Sequence, residues 1–142
     1  MKILRLICVF LAWVCVSRAA SPTDADVVFF GRIKQAISDG RSAALAEMVL
    51  YPISIKVGDG EVVLRSPKDF VNNYQNIITK DVAHAVAIQA PERMSRSWRG
   101  VRVGLGVLWF DQVKINDEAP EFIYRITGIN PDAALARSQS PQ

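Results

Sequence analysis

Arginines that recur every three residues are the first feature of this chain with recognisable binding chemistry. Arg93, Arg96, Arg99 and Arg102 follow one another at this spacing, and Trp98 lies among them. A guanidinium binds carboxylate or phosphate groups through a planar fork, and tryptophan is frequent among residues that dominate binding at interfaces. The pattern predicts a binding surface for an acidic partner or an anionic ligand, formed by Trp98, Arg99, Arg102 and Arg96. The competing interpretation is a solvated face whose charges are balanced by acids elsewhere in the fold.

The residues that could carry catalysis do not form a recognised constellation. His84 is the only histidine, and it has no Asp or Glu four residues away that could help it bind a metal. We therefore expect His84 to be a solvated surface residue. Asp111 is a weak candidate for a catalytic acid because it follows Trp109 on one face of a predicted strand, although a structural role at the strand's rim is the favoured interpretation. The sequence indicates no metal site and no cofactor.

The N-terminal segment has the pattern of an export signal. Basic residues precede the apolar run 6–16, and Ser17 and Ala19 place small side chains at the −3 and −1 positions that signal peptidase reads. The run is shorter than the ~20 residues that span a bilayer as a helix. We predict a signal peptide over 1–19, cleavage near Ala19, and a periplasmic or secreted mature protein without a membrane span. Lipidation of Cys15 is the alternative, although the residues before it depart from the usual lipidation pattern.

Removal of this predicted signal peptide changes the charge and the thiol content of the chain. The full sequence has 17 Lys and Arg against 14 Asp and Glu. Three of these cations and no acid precede Ala20, so the mature chain has a formal net charge of zero. A neutral chain lacks the overall positive field that attracts nucleic acid, and no nucleic-acid partner is predicted. Cys8 and Cys15 are both removed, which excludes a disulfide framework and a thiol nucleophile.

The period of the apolar residues predicts one α+β domain over residues 20–130, followed by a disordered tail over 131–142. Helical spacing gives way to alternation after Tyr51, and Ser66-Pro67 has the composition of a helix start. The predicted elements, in chain order, are helices at 24–38 and 43–49, a hairpin at 51–65, a helix from Pro67, a helix at 81–89, and strands at 98–103, 107–113 and 122–129.

Three motifs in this order of elements resemble exported bacterial members of the nuclear transport factor 2-like (cystatin-like) superfamily over residues 24–130. They are Tyr51-Pro52-Ile53, Phe70-x-x-x-Tyr74-x-x-Ile77-x-Thr79 and Gly100-Val101-x-Val103-Gly104-x-Gly106-x-Leu108-Trp109-Phe110. The resemblance implies N-terminal helices packed on a curved antiparallel sheet that forms a cone, in the order α-α-β-β-α-α-β-β-β. It further implies that Tyr51, Tyr74 and Trp109 line or support the interior of that cone.

Two classes of function are compatible with the predicted α+β cone. The missing catalytic constellation favours an exported domain that binds a protein or a small apolar ligand without turnover, for example as an inhibitor or immunity protein. The alternative implied by the resemblance is a small-molecule enzyme of ketosteroid-isomerase-like type that uses the pocket of the cone. Relatives often pair through the sheet face, so a homodimer is left open.

Overall fold

Helices and antiparallel sheets build this chain in the computed structural model, which describes residues 19–118 and 121–138. Residues 1–18 of the predicted signal peptide, including Cys15, lie outside the described residues. The helices are α1 (Asp24–Ser38), α2 (Ser42–Ala46), α3 (Pro67–Ile77), α4 (Lys80–Ile88) and α5 (Pro131–Ser138), and the strands are β1 (Ile53–Val57), β2 (Gly60–Leu64), β3 (Ser95–Ser97), β4 (Gly100–Val103), β5 (Leu108–Lys114) and β6 (Phe122–Ile129).

Helices α1, α3 and α4 each begin at a residue whose side chain caps the helix. The Thr23 hydroxyl accepts a hydrogen bond from the Asp26 N–H (3.2 Å), and the Asp26 carboxylate accepts one from the Thr23 N–H (2.8 Å). These two bonds form a reciprocal capping box, which satisfies N–H groups that a helix start otherwise leaves without partners. Ser66 and Thr79 cap α3 and α4 in the same way, each through its hydroxyl and an N–H three residues later.

The strands form two antiparallel sheets, a β1–β2 hairpin and a four-stranded sheet in the order β3-β4-β5-β6. Helix α1 packs on one face of the larger sheet, which we call the inner face. There the Phe29 ring lies 5.3 Å from the Phe110 ring and 5.1 Å from the Tyr124 ring, centroid to centroid. The fully buried residues of this face are Val101, Val103, Leu108, Phe110 and Ile126.

A short parallel bridge joins the helical half of the chain to the outer edge of β6. The Ile126 N–H donates to the Met48 carbonyl (2.7 Å), and the Leu50 N–H donates to the Ile126 carbonyl (2.9 Å). Because β6 is the last strand in the order of its sheet, this bridge covers only part of its free edge.

The predicted α+β class is confirmed, but two predicted segments require correction. The strand predicted at 98–103 begins only at Gly100 and is the second strand of a β3–β4 hairpin. Ser97 pairs with Gly100, so Trp98 and Arg99 form the two-residue tip of this hairpin. The disordered tail is wrong for Pro131–Ser138, which forms α5. Cap chemistry and burial explain this helix: the Asn130 side chain accepts from the Ala133 N–H (3.3 Å), and Ala134 is buried in the core.

Candidate functional site

Trp98 and Arg99 project together from the tip of the β3–β4 hairpin. Trp98 is 86% exposed, and the Arg99 guanidinium carbon lies 5.0 Å from the centroid of its ring. The Ser97 hydroxyl accepts a hydrogen bond from the Arg99 N–H (3.2 Å) within the turn. This arrangement is a cation–π pair on a large solvent-exposed aromatic surface.

Gly100 allows the hairpin to lie close to its neighbouring strand. Its φ of 101° is in the region that L side chains rarely adopt, and an added Cβ would lie 2.6 Å from the Phe110 carbonyl oxygen. Only glycine fits at this position without displacement of β5. The position of the tip is therefore determined by backbone packing as well as by its own turn.

Arg102 lies on the opposite, outer face of the sheet. It is exposed, whereas its neighbours Val101 and Val103 are fully buried on the inner face. In register it lies between Ser95 of β3 and Trp109 of β5. Arg102 therefore belongs to the same hairpin as Trp98 and Arg99, but it extends the predicted surface over the outer face of the sheet.

Arg96 departs from the prediction that placed it on the binding surface. Its Nε–H donates to Asp26 Oδ2 (3.0 Å), its Nη2 donates to Asp26 Oδ1, and its Nη1 donates to Asp111 Oδ1 (3.1 Å). The Asp26 side chain is fully buried, and the Arg96 side chain is 26% exposed. Arg96 is therefore an internal brace between α1 and the sheet. Together with Tyr124, these three residues form what we call the buried ionic cluster.

The cluster keeps Asp26 ionised although it is buried. Burial alone raises the pKa of the Asp26 carboxyl, but hydrogen bonds from Arg96, Thr23 and Tyr124 outweigh it and lower this pKa to about 2. The Tyr124 hydroxyl donates to Asp26 Oδ1 at 2.9 Å. The hydrogen bond to Asp26 also raises the pKa of the Arg96 guanidinium, so both partners are charged at neutral pH.

Asp111, the candidate catalytic acid, is held by the same guanidinium. Its Oδ1 accepts from Arg96 and also from the Gln112 N–H (2.9 Å). These bonds tie the side chain to Arg96 of β3 and to the backbone of its own strand. The position supports the structural interpretation of Asp111.

The structure places the three residues predicted to line the cone interior in different surroundings. The Tyr51 hydroxyl donates to the Ala46 carbonyl (2.8 Å), and burial, with the nearby charges of Glu47 and Asp69, raises the pKa of Tyr51 to about 12. Tyr74 is half-buried against the edge of the Phe70 ring, at a centroid distance of 6.2 Å.

Trp109 lies on the outer face of the sheet, away from both tyrosines. Its side chain lies against Gly128, where an added Cβ would be 3.6 Å from Trp109, in ordinary van der Waals contact. Trp109 therefore does not lie on the inner face, against which α1 packs. The prediction that Trp109 lines the interior together with the two tyrosines is therefore corrected. Side chains alternate between the two faces along β5, so Trp109 points away from the side on which its neighbours Leu108 and Phe110 are buried.

The remaining expectations concern His84, metal binding and membrane spans. His84 is exposed, as predicted. Within residues 19–118 and 121–138, no three His, Cys, Asp or Glu side chains are grouped so that they could hold a metal ion. Over the same ranges, no helix combines the length and the apolar character needed to cross a membrane.

A cleft that the sequence analysis did not predict opens beside α1. Its volume is about 840 Å³. The lining comes from α1, from the segment around α2 and from β6: Ala25, Val28, Phe29, Arg32, Gln35, Arg41, Ala44, Glu47, Met48, Ile123, Tyr124 and Arg125. The sequence places Val28, Arg32 and Gln35 on one side of a predicted helix, which could have indicated one wall of the cleft. No local sequence pattern indicates that β6 lies beside this helix.

The chain matches no protein-family model, and no curated protein or solved structure is significantly similar to it. Its class is therefore defined by its own geometry. It is an α+β domain in which a braced hairpin presents an exposed tryptophan and arginine.

Proposed function

We propose that this protein is an exported domain that binds a protein partner without turnover, and that the Trp98–Arg99 tip is its main contact. The observation that carries the proposal is the 86% exposure of Trp98. An aromatic side chain buries ~150–250 Å² when it is covered, which at ~25 cal/mol per Å² corresponds to about 4–6 kcal/mol before the costs of association. A partner that covers Trp98 would recover much of this free energy.

The tip is also suited to binding because it is already ordered. Arg99 stacks on Trp98, and Arg96 ties the preceding strand to Asp26 in α1. A side chain that is fixed before association loses less conformational entropy when it binds. The arginines add an attraction for acidic groups on the partner, with Arg102 at the outer face as a further contact.

Export and superfamily membership are parts of the same proposal. The short apolar run and the Ser17-x-Ala19 pattern support cleavage and a periplasmic or secreted location. Membership of the nuclear transport factor 2-like superfamily, with its cone, is supported by the packing of α1 against one face of an antiparallel sheet.

The enzyme alternative has less support from the geometry of the site. The two carboxylates considered for catalysis, Asp26 and Asp111, are both hydrogen-bonded to Arg96. An enzyme of ketosteroid-isomerase-like type needs an acid or base whose pKa permits proton transfer, whereas the pKa of Asp26 is lowered to about 2. The binding interpretation uses the exposed groups and needs no such residue.

Site-specific photo-crosslinking tests the proposal. Trp98 is replaced by p-benzoylphenylalanine in the full-length chain, in the cells that produce it, and Leu105 is replaced in a matched variant. Leu105 is the control because it is 65% exposed and also lies in a turn between strands. We expect a discrete protein adduct from position 98 that is lost with Arg99→Ala, and none from position 105. Equal adducts at both positions, or none at position 98, would contradict the proposal.

A further inference from the structure

The cleft beside α1 combines an apolar floor with cations at its sides. Val28 is 66% exposed within it, and Phe29 lies beneath, where the Arg32 guanidinium carbon is 5.9 Å from the centroid of its ring. Arg41 and Arg125 complete the basic lining. A surface of this composition fits a ligand that carries both apolar and acidic groups.

The cations of the cleft are poorly balanced by neighbouring acids. Glu47 is the acidic residue in the lining, and Arg41 has an exposed ion pair with Asp39 at 3.5 Å. In the part of the chain that the structure describes, Arg32 and Arg125 form no ion pair. The Arg125 guanidinium donates to the Tyr124 carbonyl (3.0 Å), which holds it at the margin of the cleft. The cleft is therefore electrostatically suited to a ligand with carboxylates.

The wall formed by β6 also offers backbone hydrogen-bonding groups. The N–H and C=O of Ile126 point away from β5, since they bond to the Met48–Leu50 segment. In an antiparallel pair these directions alternate with a period of two residues, so the N–H groups of Phe122 and Tyr124 also point away from β5. The Ile115 N–H, which donates to the Glu121 carbonyl (3.1 Å), confirms this parity. Among the described strands, β5 alone pairs with β6, and the opposite edge of β6 has only the bridge between Val49 and Ile126.

We propose that this cleft is a second binding site, which accepts an extended acidic segment of another protein as an added strand along the Phe122–Tyr124 edge of β6. Backbone hydrogen bonds to the free edge provide affinity in this mode, and side-chain pockets provide selectivity. Apolar side chains of the segment lie over Val28, and its carboxylates pair with Arg32 and Arg125. The site is separate from the Trp98–Arg99 tip, since β3 and β6 are opposite edges of the sheet.

Calorimetric titration with a blocked peptide of alternating Glu and Val tests the site in the wild-type chain. A peptide of alternating Lys and Val is the control for charge. We expect the acidic peptide to bind and the basic one not to bind. The Arg32→Ala/Arg125→Ala variant should lose roughly tenfold or more in affinity, as expected when binding anchors are removed. The Arg99→Ala/Arg102→Ala variant should bind the peptide unchanged, which separates this site from the proposed function.

The backbone requirement is tested at Phe122. Proline there removes an N–H that faces away from β5, so it is compatible with an edge strand but blocks an added one. We expect Phe122→Pro to abolish peptide binding and Phe122→Ala to retain it. Hydrogen exchange in the wild-type chain provides a measurement that does not depend on the folding of the proline variant: the Phe122 and Tyr124 amides should exchange more slowly when peptide is bound.

Three results would overturn the proposal. The first is peptide affinity that does not change in the Arg32→Ala/Arg125→Ala variant. The second is unchanged exchange at both amides in the presence of saturating peptide. The third is arginine-dependent binding to vesicles of anionic phospholipid that persists in Phe122→Pro, since that result would identify a membrane surface instead of a peptide strand.

Discussion

Replacement of Arg96 by alanine should destabilise this protein more than any other arginine substitution in the 93–102 series. Asp26 would be left fully buried without its cationic partner, and removal of one member of a buried ion pair typically costs ~3–5 kcal/mol. The Arg96 side chain is 26% exposed, so water can replace part of the lost interaction, and we expect about 3 kcal/mol. This is a large share of the ~5–15 kcal/mol that stabilises a typical domain.

Urea denaturation followed by circular dichroism measures this loss. Arg99→Ala is the matched control, because the same residue type lies three positions away on the exposed tip, where the change should remain within ~0.5 kcal/mol. A double-mutant cycle with Asp26→Ala isolates the pair, and the double variant should be less destabilised than the sum of the single variants. An Arg96→Ala variant as stable as Arg99→Ala would refute the assignment of Arg96 as an internal brace.

The same pair predicts the response to acid. The folded pKa of Asp26 is about 2, below its ordinary value of 3.8, so its stabilising contribution is complete above about pH 5 and is lost progressively as the pH falls through 2. This difference between the two pKa values corresponds to about 2 kcal/mol of folding stability. Asp69, whose pKa is lowered mainly by the hydrogen bond from the Arg65 N–H, affects the same pH range. The measurement is therefore the difference between wild type and Asp26→Asn, which should shrink towards pH 2.

Three further predictions concern the tip, the core and the N-terminus. Gly100→Ala should lower the melting temperature markedly, whereas Gly31→Ala should not, because an added Cβ meets the Phe110 carbonyl at 2.6 Å in the first case and no atom within 4 Å in the second. Tyr74→Ala should cost about 2–3 kcal/mol in urea denaturation, less than a fully buried aromatic, and an equal loss in Arg102→Ala would contradict the exposed position of that arginine. N-terminal sequencing of protein from the extracytoplasmic fraction should begin at Ala20 or within a few residues of it; full-length cytoplasmic protein would contradict export.

Local patterns predicted the elements whose formation depends on nearby residues. The capping residues Ser66 and Thr79 mark the starts of α3 and α4, and alternation from Tyr51 to Val57 marks the first hairpin. Each of these signals acts within about one turn of helix or one pleat of strand. The class of the fold could be predicted because it follows from the order of such elements.

The candidate site depends on pairs that no local pattern contains. Asp26 and Arg96 are 70 positions apart in the sequence, and Tyr124 is 98 positions from Asp26. The cleft likewise combines α1 with β6, whose proximity follows from sheet order. The helix over Pro131–Ser138 was missed for a related reason, since its small and polar composition resembles a tail until Ala134 is seen to pack in the core.

The spacing of three in the arginine series explains why its members have different roles. Successive residues of a strand point to opposite faces, so a period of three does not keep side chains on one side of a sheet. The hairpin adds a reversal: Arg96 is opposite Val101, on the inner face, while Arg102 is opposite Ser95, on the outer face. Arg99 falls at the turn between them, beside the ring of Trp98. One sequence pattern thus provides both the brace that fixes the hairpin to α1 and the exposed cations that the proposed binding surface uses.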